Sequence, residues 1–267
     1  MTTAAANAAI ISFESPTYTA GALAAVGAAT NNAFTGQDGW SNSSSSNAGT
    51  VVTTVTSGEY TGGQAISGGT ATYIGANKNV TLSSNYNFDL RYGAGQEMGV
   101  GHWNDDDSDG LFDQAEAELQ IGVISGTGGW YFGARYAGFG TRSWSDGAGS
   151  LVTGGPGVAG TAGDWYRFNV SYSPNGGNYD INVGIRNLST GTDIDFDSGL
   201  LGVQSWSFII TAAQFGVAPA SAEGLFIRTT TSGANGLIDN INTAVPEPSA
   251  ALLGGLGLLG LLRRRRD

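Results

Sequence analysis

The chain has 267 residues with 44 glycines, 12% charged residues and no cysteine, so disulfide bridges, thiol chemistry and iron–sulfur clusters are excluded. Its formal net charge is -11, and without the four C-terminal arginines, Glu247 and Asp267 the remainder has 7 basic and 20 acidic side chains. Such a surface repels nucleic acid and anionic lipid and attracts cations, and the length suits one large domain with a proper core.

Residues 1–8 read as an N-terminal remnant. Ala6-Asn7-Ala8 has the small-x-small form of a signal-peptidase site, yet the residues before it contain neither a basic region nor an apolar stretch of signal-peptide length. The expectation is a start upstream of Met1, with this sequence beginning near the cleavage point. The competing reading is an ordinary disordered terminus.

From residue 9 to 244 the vocabulary is that of short strands and tight turns: Gly, Thr, Ser, Asn, Val, Ile and aromatics, with no long 3.6-residue amphipathic pattern. β-Prone runs separated by Gly/Ser/Asn turns fall at 50–56, 70–74, 80–82, 129–136, 204–211, 225–230 and 237–241. The clearest pair lies at 165–186. Tyr166, Phe168, Val170 and Tyr172 alternate with polar residues, Pro174-Asn175-Gly176-Gly177 makes a turn, and Tyr179, Ile181, Val183 and Ile185 alternate again. Period-two alternation on both sides of a Gly/Asn turn predicts a β-hairpin with one buried face. Many short strands and no fixed repeat predict an all-β fold, a two-sheet antiparallel jelly-roll β-sandwich, over 9–244.

Between these strands stands the sharpest chemical motif, Asp105-Asp106-Asp107-Ser108-Asp109-Gly110-Leu111-Phe112-Asp113-Gln114-Ala115-Glu116. It fits the D-x-D-x-D-G-x5-E calcium loop at every specified position. Asp105, Asp107 and Asp109 supply carboxylate oxygens, Leu111 a backbone carbonyl, Asp113 a direct or water-bridged contact and Glu116 a bidentate carboxylate, with Gly110 at the sharp turn. Hard oxygen ligands without His or Cys select Ca²⁺. The loop resembles an EF-hand only in its ligand order, because Glu116, Glu118 and Gln120 alternate with Ala117, Leu119, Ile121 and Val123, which predicts a strand where an EF-hand has a helix. The alternative is an acidic, solvated hairpin loop.

Catalysis finds little support. Glu116 and Glu118 share one face of that strand, as the paired carboxylates of a glycosidase would, but the E-x-D-x-x-E arrangement of concanavalin-like glycosidases is missing, with Ile at 121. The single histidine, His102, reads as a packing or surface residue. The chain is therefore read as non-enzymatic, with a lectin-like carbohydrate-binding module and, behind it, a glycoside hydrolase as alternatives. Trp40, Trp130 and Trp144, with Tyr131 and Tyr136, lie in or near Gly-rich turns and are the candidates for stacking on sugar rings. Against this, most Trp and Tyr of a Gly-rich sandwich are core residues.

Residues 245–267 have three parts. Pro246-Glu247-Pro248 ends the upstream fold, because proline lacks an amide donor and disfavours helix before it. An apolar Leu/Gly/Ala run over 249–262 can enter hydrocarbon as a short transmembrane helix, and Arg263-Arg264-Arg265-Arg266 stays in the cytoplasm by the positive-inside rule. The run is shorter than the ~20 residues of a comfortable span, as a buried core helix would be, and four arginines suit a nucleic-acid patch. Neither of those readings explains the order of the three parts.

That order resembles the PEP-CTERM sorting signal of Gram-negative bacteria, which an exosortase of the inner membrane processes. The resemblance covers only the tail. It implies export, transient insertion in the inner membrane, and delivery to the cell surface or extracellular matrix, with exopolysaccharide or biofilm as the expected setting. A second resemblance lies in the body. Asp164-Trp165-Tyr166-Arg167-Phe168-Asn169-Val170-Ser171-Tyr172, then Asp180-Ile181-Asn182-Val183 and Asn187-Leu188, is similar to the central hairpin of laminin-G-like, concanavalin-type jelly rolls. It implies a fold and no ligand.

Overall fold

The computed structural model describes residues 10–14, 17, 19–23, 37–42, 50–53, 63–67, 74–78, 84–95, 97–104, 117–126, 129–138, 141–145, 160–176, 178–195, 205–211, 224–230 and 236–243. Strands run in chain order as β1 (Ile10–Ile11), β2 (Gly21–Ala22), β3 (Trp40–Asn42), β4 (Thr50–Thr53), β5 (Gln64–Ser67) and β6 (Ile74–Lys78). Next come β7 (Asn85–Arg91), β8 (Glu97–Asn104), β9 (Ala117–Gly126), β10 (Gly129–Gly138) and β11 (Thr141–Ser145). They are followed by β12 (Trp165–Asn175), β13 (Asn178–Asn187), β14 (Thr192–Asp193), β15 (Ser205–Thr211), β16 (Gly224–Thr230) and β17 (Leu237–Asn242).

These strands form two antiparallel sheets, the β-sandwich that the alternating pattern predicts. The ten-stranded sheet runs β14-β13-β12-β7-β17-β5-β4-β2, with β1 on β17 and β15 on β13. The seven-stranded sheet runs β11-β10-β9-β8-β16-β6-β3. Among the described residues the helical content is a 3-10 turn at Gln37–Gly39, and no helix is long and apolar enough to cross a membrane. The apolar run at 249–262 lies outside the described residues.

Alternation decides which face is buried. Tyr86, Phe88 and Leu90 of β7, with Tyr166, Phe168 and Val170 of β12, meet Val100 of β8, Leu119, Ile121 and Val123 of β9 and Phe132 of β10 in one core cluster. Phe88 stacks on its register partner Phe168 at 4.8 Å, and Phe132 of the opposite sheet meets Tyr166 and Phe168 edge-on at 4.9 and 5.7 Å. Aromatic pairs in these offset and edge-to-face arrangements contribute beyond the apolar area they bury.

The expected hairpin is present, with a tighter turn than the sequence suggested. Pro174 and Asn175 remain in β12 and Asn175 pairs with Asn178, so the connection is two residues long, and its first residue is a glycine, which tolerates positive φ. Gly176 has φ +57°. Of the other expected strands, 129–136, 204–211, 225–230 and 237–241 match β10, β15, β16 and β17 within two residues. Of the run expected at 70–74, Ile74 opens β6 and 70–73 lie outside the described residues, as do 80–82.

Candidate functional site

The sequence-predicted sites fare differently. Asp105, Asp107, Asp109, Leu111, Asp113 and Glu116 lie outside the described residues, as do Pro246, Glu247 and Pro248. The frame of the acidic segment is nevertheless on view: β8 ends at Asn104, β9 begins at Ala117, and these two residues are register partners. Residues 105–116 therefore connect two paired antiparallel strands, where an EF-hand has two helices. Glu118 sits on β9 opposite Trp103.

Trp40 is corrected. It opens β3, is 0% exposed and packs against Phe13 with ring centroids 5.9 Å apart, so its faces belong to the core and are closed to a sugar. Trp130 lies on β10 opposite Ser125, while Trp144 lies on β11 opposite Arg135. The two positions are five residues apart along β10, about 17 Å of strand rise, so the sheet does not bring them together.

His102 points into the core between the sheets. It is fully buried, 5.6 Å edge-on from the Tyr86 ring and 4.8 Å from that of Tyr172, and neither ring nitrogen has a hydrogen-bond partner among the described residues. Burial in this aromatic box pulls its pKa down to about 3 and holds it neutral. The same burial pushes the Tyr86 phenol upward. His102 is thus a packing residue, one of the two roles expected for it.

A polar constellation that sequence reasoning missed lies on the outer face of the ten-stranded sheet. Strand register assembles it in rows across the strands. Asn85 of β7 lies opposite Ser171 of β12, which lies opposite Asn182 of β13, which lies opposite Ser207 of β15. In the next row Asn87 lies opposite Asn169, and Asn169 opposite Gly184. Asn85, Asn169, Ser171, Asn182 and Gly184 line an open groove of about 220 Å³. Asn169, Asn182 and Ser207 are exposed, and the Asn182 amide donates to the Ser207 hydroxyl at 2.7 Å.

The third row is charged and holds two formed ion pairs. Arg167 donates through Nε and Nη2 to the two oxygens of Asp89, each at 2.8 Å, and Asn240 Nδ2 adds a third hydrogen bond at 3.0 Å. Beside it Arg186 pairs with Asp193 at 3.1 Å. The groove is therefore uncharged and bordered by ion pairs already formed. Among the described residues no group of three or more His, Cys, Asp or Glu is placed to hold a metal ion.

Comparison with known proteins names the tail and finds distant structural likenesses to the body. The globular domain of T. cruzi calreticulin is similar at TM-score 0.48 and 9% identity, over 86% of this chain and 93% of that one. Peanut lectin, solved with a 9mer peptide, is similar at TM-score 0.36 and 8% identity, over 80% of this chain and 92% of that one. No curated protein sequence matches the chain. Residues 244–266 match the model of the PEP-CTERM protein-sorting motif. The chain thus ends in the motif of exported, membrane-transiting proteins that an exosortase processes and sorts to the cell surface.

Proposed function

We propose that this protein is a non-catalytic structural or adhesive component of the cell surface or extracellular matrix, working in contact with exopolysaccharide. The observation that carries the reading is the sorting motif at 244–266 on a chain whose described residues form one β-sandwich. The strongly acidic remainder of the chain supports a role outside nucleic-acid and anionic-lipid binding. The one histidine supports a non-catalytic role, since it is buried, neutral and remote from solvent.

Calcium is part of the proposal. Residues 105–116 carry the ligand order of a calcium loop, and the Asn104–Ala117 pair fixes the two ends of that segment side by side. The ion would offset part of the repulsion among six carboxylates and rigidify the connection, with no role in bond making or breaking.

The test is localisation. Deleting 246–267 is expected to release the body into periplasm or medium. Neutralising Arg263 to Arg266 is expected to weaken retention, because the positive-inside signal is lost. Membrane association unchanged in both variants would overturn the reading.

A further inference from the structure

We infer that the outer-face groove of the ten-stranded sheet is a binding site for a neutral glycan chain. The inference rests on the proposed setting in exopolysaccharide, and it adds a site, a ligand charge and a recognition mode. The first ground is shape. The groove of about 220 Å³ lies below the roughly 300–1,000 Å³ of ordinary small-molecule pockets, and it is open rather than enclosed. It takes one sugar ring of a longer chain that continues along the surface in both directions.

The second ground is the chemistry of the lining. Asn169 and Ser171 make no side-chain hydrogen bond among the described residues, and the Asn182 amide, which donates to Ser207, keeps its carbonyl oxygen as an acceptor. Amides and hydroxyls offer both donors and acceptors, as the hydroxyls of a sugar require. Gly184 opposite Asn169 has no side chain to fill the space between these groups. Asn85, Ser171, Asn182 and Ser207 stand on four adjacent strands, spaced about 4.8 Å apart, close to the advance of one pyranose ring in an extended glycan.

The third ground is charge. The flanking cations are occupied, Arg167 by Asp89 and Arg186 by Asp193, and the chain as a whole is at -11. Among the described residues an anionic polymer would find no unpaired cation at the groove, and it would meet net repulsion, whereas a neutral one meets neither penalty. Tyr86 borders the groove with its side chain fully buried, so recognition rests on hydrogen bonds without aromatic stacking. Each site is weak by itself and effective when many copies are displayed on a surface.

The experiment is saturation-transfer NMR on the full chain in zwitterionic micelles, with cellohexaose, laminarihexaose and an alginate hexamer as probes. Binding of at least one neutral hexamer is expected, with alginate not bound. Asn169→Ala with Asn182→Ala, and separately Gly184→Leu, should each weaken that binding about tenfold or more while melting temperatures stay near wild type. Binding to neither neutral hexamer, equal binding by the groove variants, or preference for alginate would overturn the inference. The tail-deletion experiment reads sorting alone, so a failed groove with intact sorting leaves the export reading standing.

Discussion

Arg167 and Asp89, register partners on β12 and β7, form a two-pronged ion pair in which the carboxylate is fully buried and the arginine side chain is 42% exposed. The third contact comes from Asn240, whose φ of +48° at the irregularity in β17 lets its amide reach Asp89. Asn tolerates this left-handed conformation better than most residues. The pair thus ties β7, β12 and β17 together beside the groove.

Removing the arginine strands a buried charge. Arg167→Met should destabilise the fold by about 2 kcal/mol, less than the about 3–5 kcal/mol of a fully enclosed pair because water reaches the exposed arginine side. That corresponds to a drop of about 4–8 °C in melting temperature for a domain of this size. Adding Asp89→Asn should recover part of the loss, since no unpaired charge remains. A double variant as unstable as Arg167→Met alone would show that the ion pair is not the source.

His102 should make the fold acid-sensitive. Its folded pKa of about 3 lies below the ordinary 6.5, so above pH 6.5 both folded and unfolded chains hold it neutral and the full stability is present. Between 6.5 and about 3 the unfolded chain binds a proton that the folded chain refuses, and stability falls by roughly 1.4 kcal/mol per pH unit from this group. His102→Phe keeps a ring between Tyr86 and Tyr172 and removes the titration. Unfolding free energies of the two proteins from urea melts should therefore diverge by about 2–3 kcal/mol between pH 7 and 4.5, in favour of phenylalanine. A constant difference would exclude His102 as the titrating group.

Two glycines separate backbone conformation from space. Gly176 in the β12–β13 turn has φ +57° and nothing within 4 Å of an added Cβ, so Gly176→Ala should cost about 1–2 kcal/mol through conformation alone. At Gly101 an added Cβ would meet the Leu119 carbonyl oxygen and stand 2.6 Å from its carbon, so β8 and β9 must move apart. Gly101→Ala should cost about 1–3 kcal/mol through that displacement. Denaturant melts of both variants check the two costs; a neutral Gly101→Ala would mean that the strands yield freely.

The β12–β13 hairpin was legible because its inward residues are large and apolar and its outward ones polar, the pattern that one buried face imposes. β7 was not read as a strand, since Asn85, Asn87 and Asp89 are poor strand formers and mask the Tyr86, Phe88, Leu90 alternation. The groove was invisible for a different reason. Asn85, Asn169 and Asn182 are far apart in sequence and read singly as solvated positions, and only strand register places them in neighbouring rows. Trp40 misled because its Gly-rich neighbourhood suggested an exposed turn, whereas β3 buries it on Phe13.

Calcium should act through stability. An ion that binds 105–116 only in the folded chain raises stability by mass action, so melting temperature should climb with added calcium and fall with chelator. At a calcium concentration 100-fold above the dissociation constant the gain is about 2.7 kcal/mol. Asp105→Asn with Glu116→Gln removes the first carboxylate and the bidentate ligand, and should abolish the dependence. The double variant should also tolerate chelator better than wild type, because without metal the wild-type segment keeps the full repulsion of six carboxylates between the paired ends Asn104 and Ala117. Scanning calorimetry with and without millimolar calcium, together with isothermal titration, checks both effects. A wild-type melting temperature indifferent to calcium, with no heat of binding, would return these residues to an ordinary acidic hairpin loop.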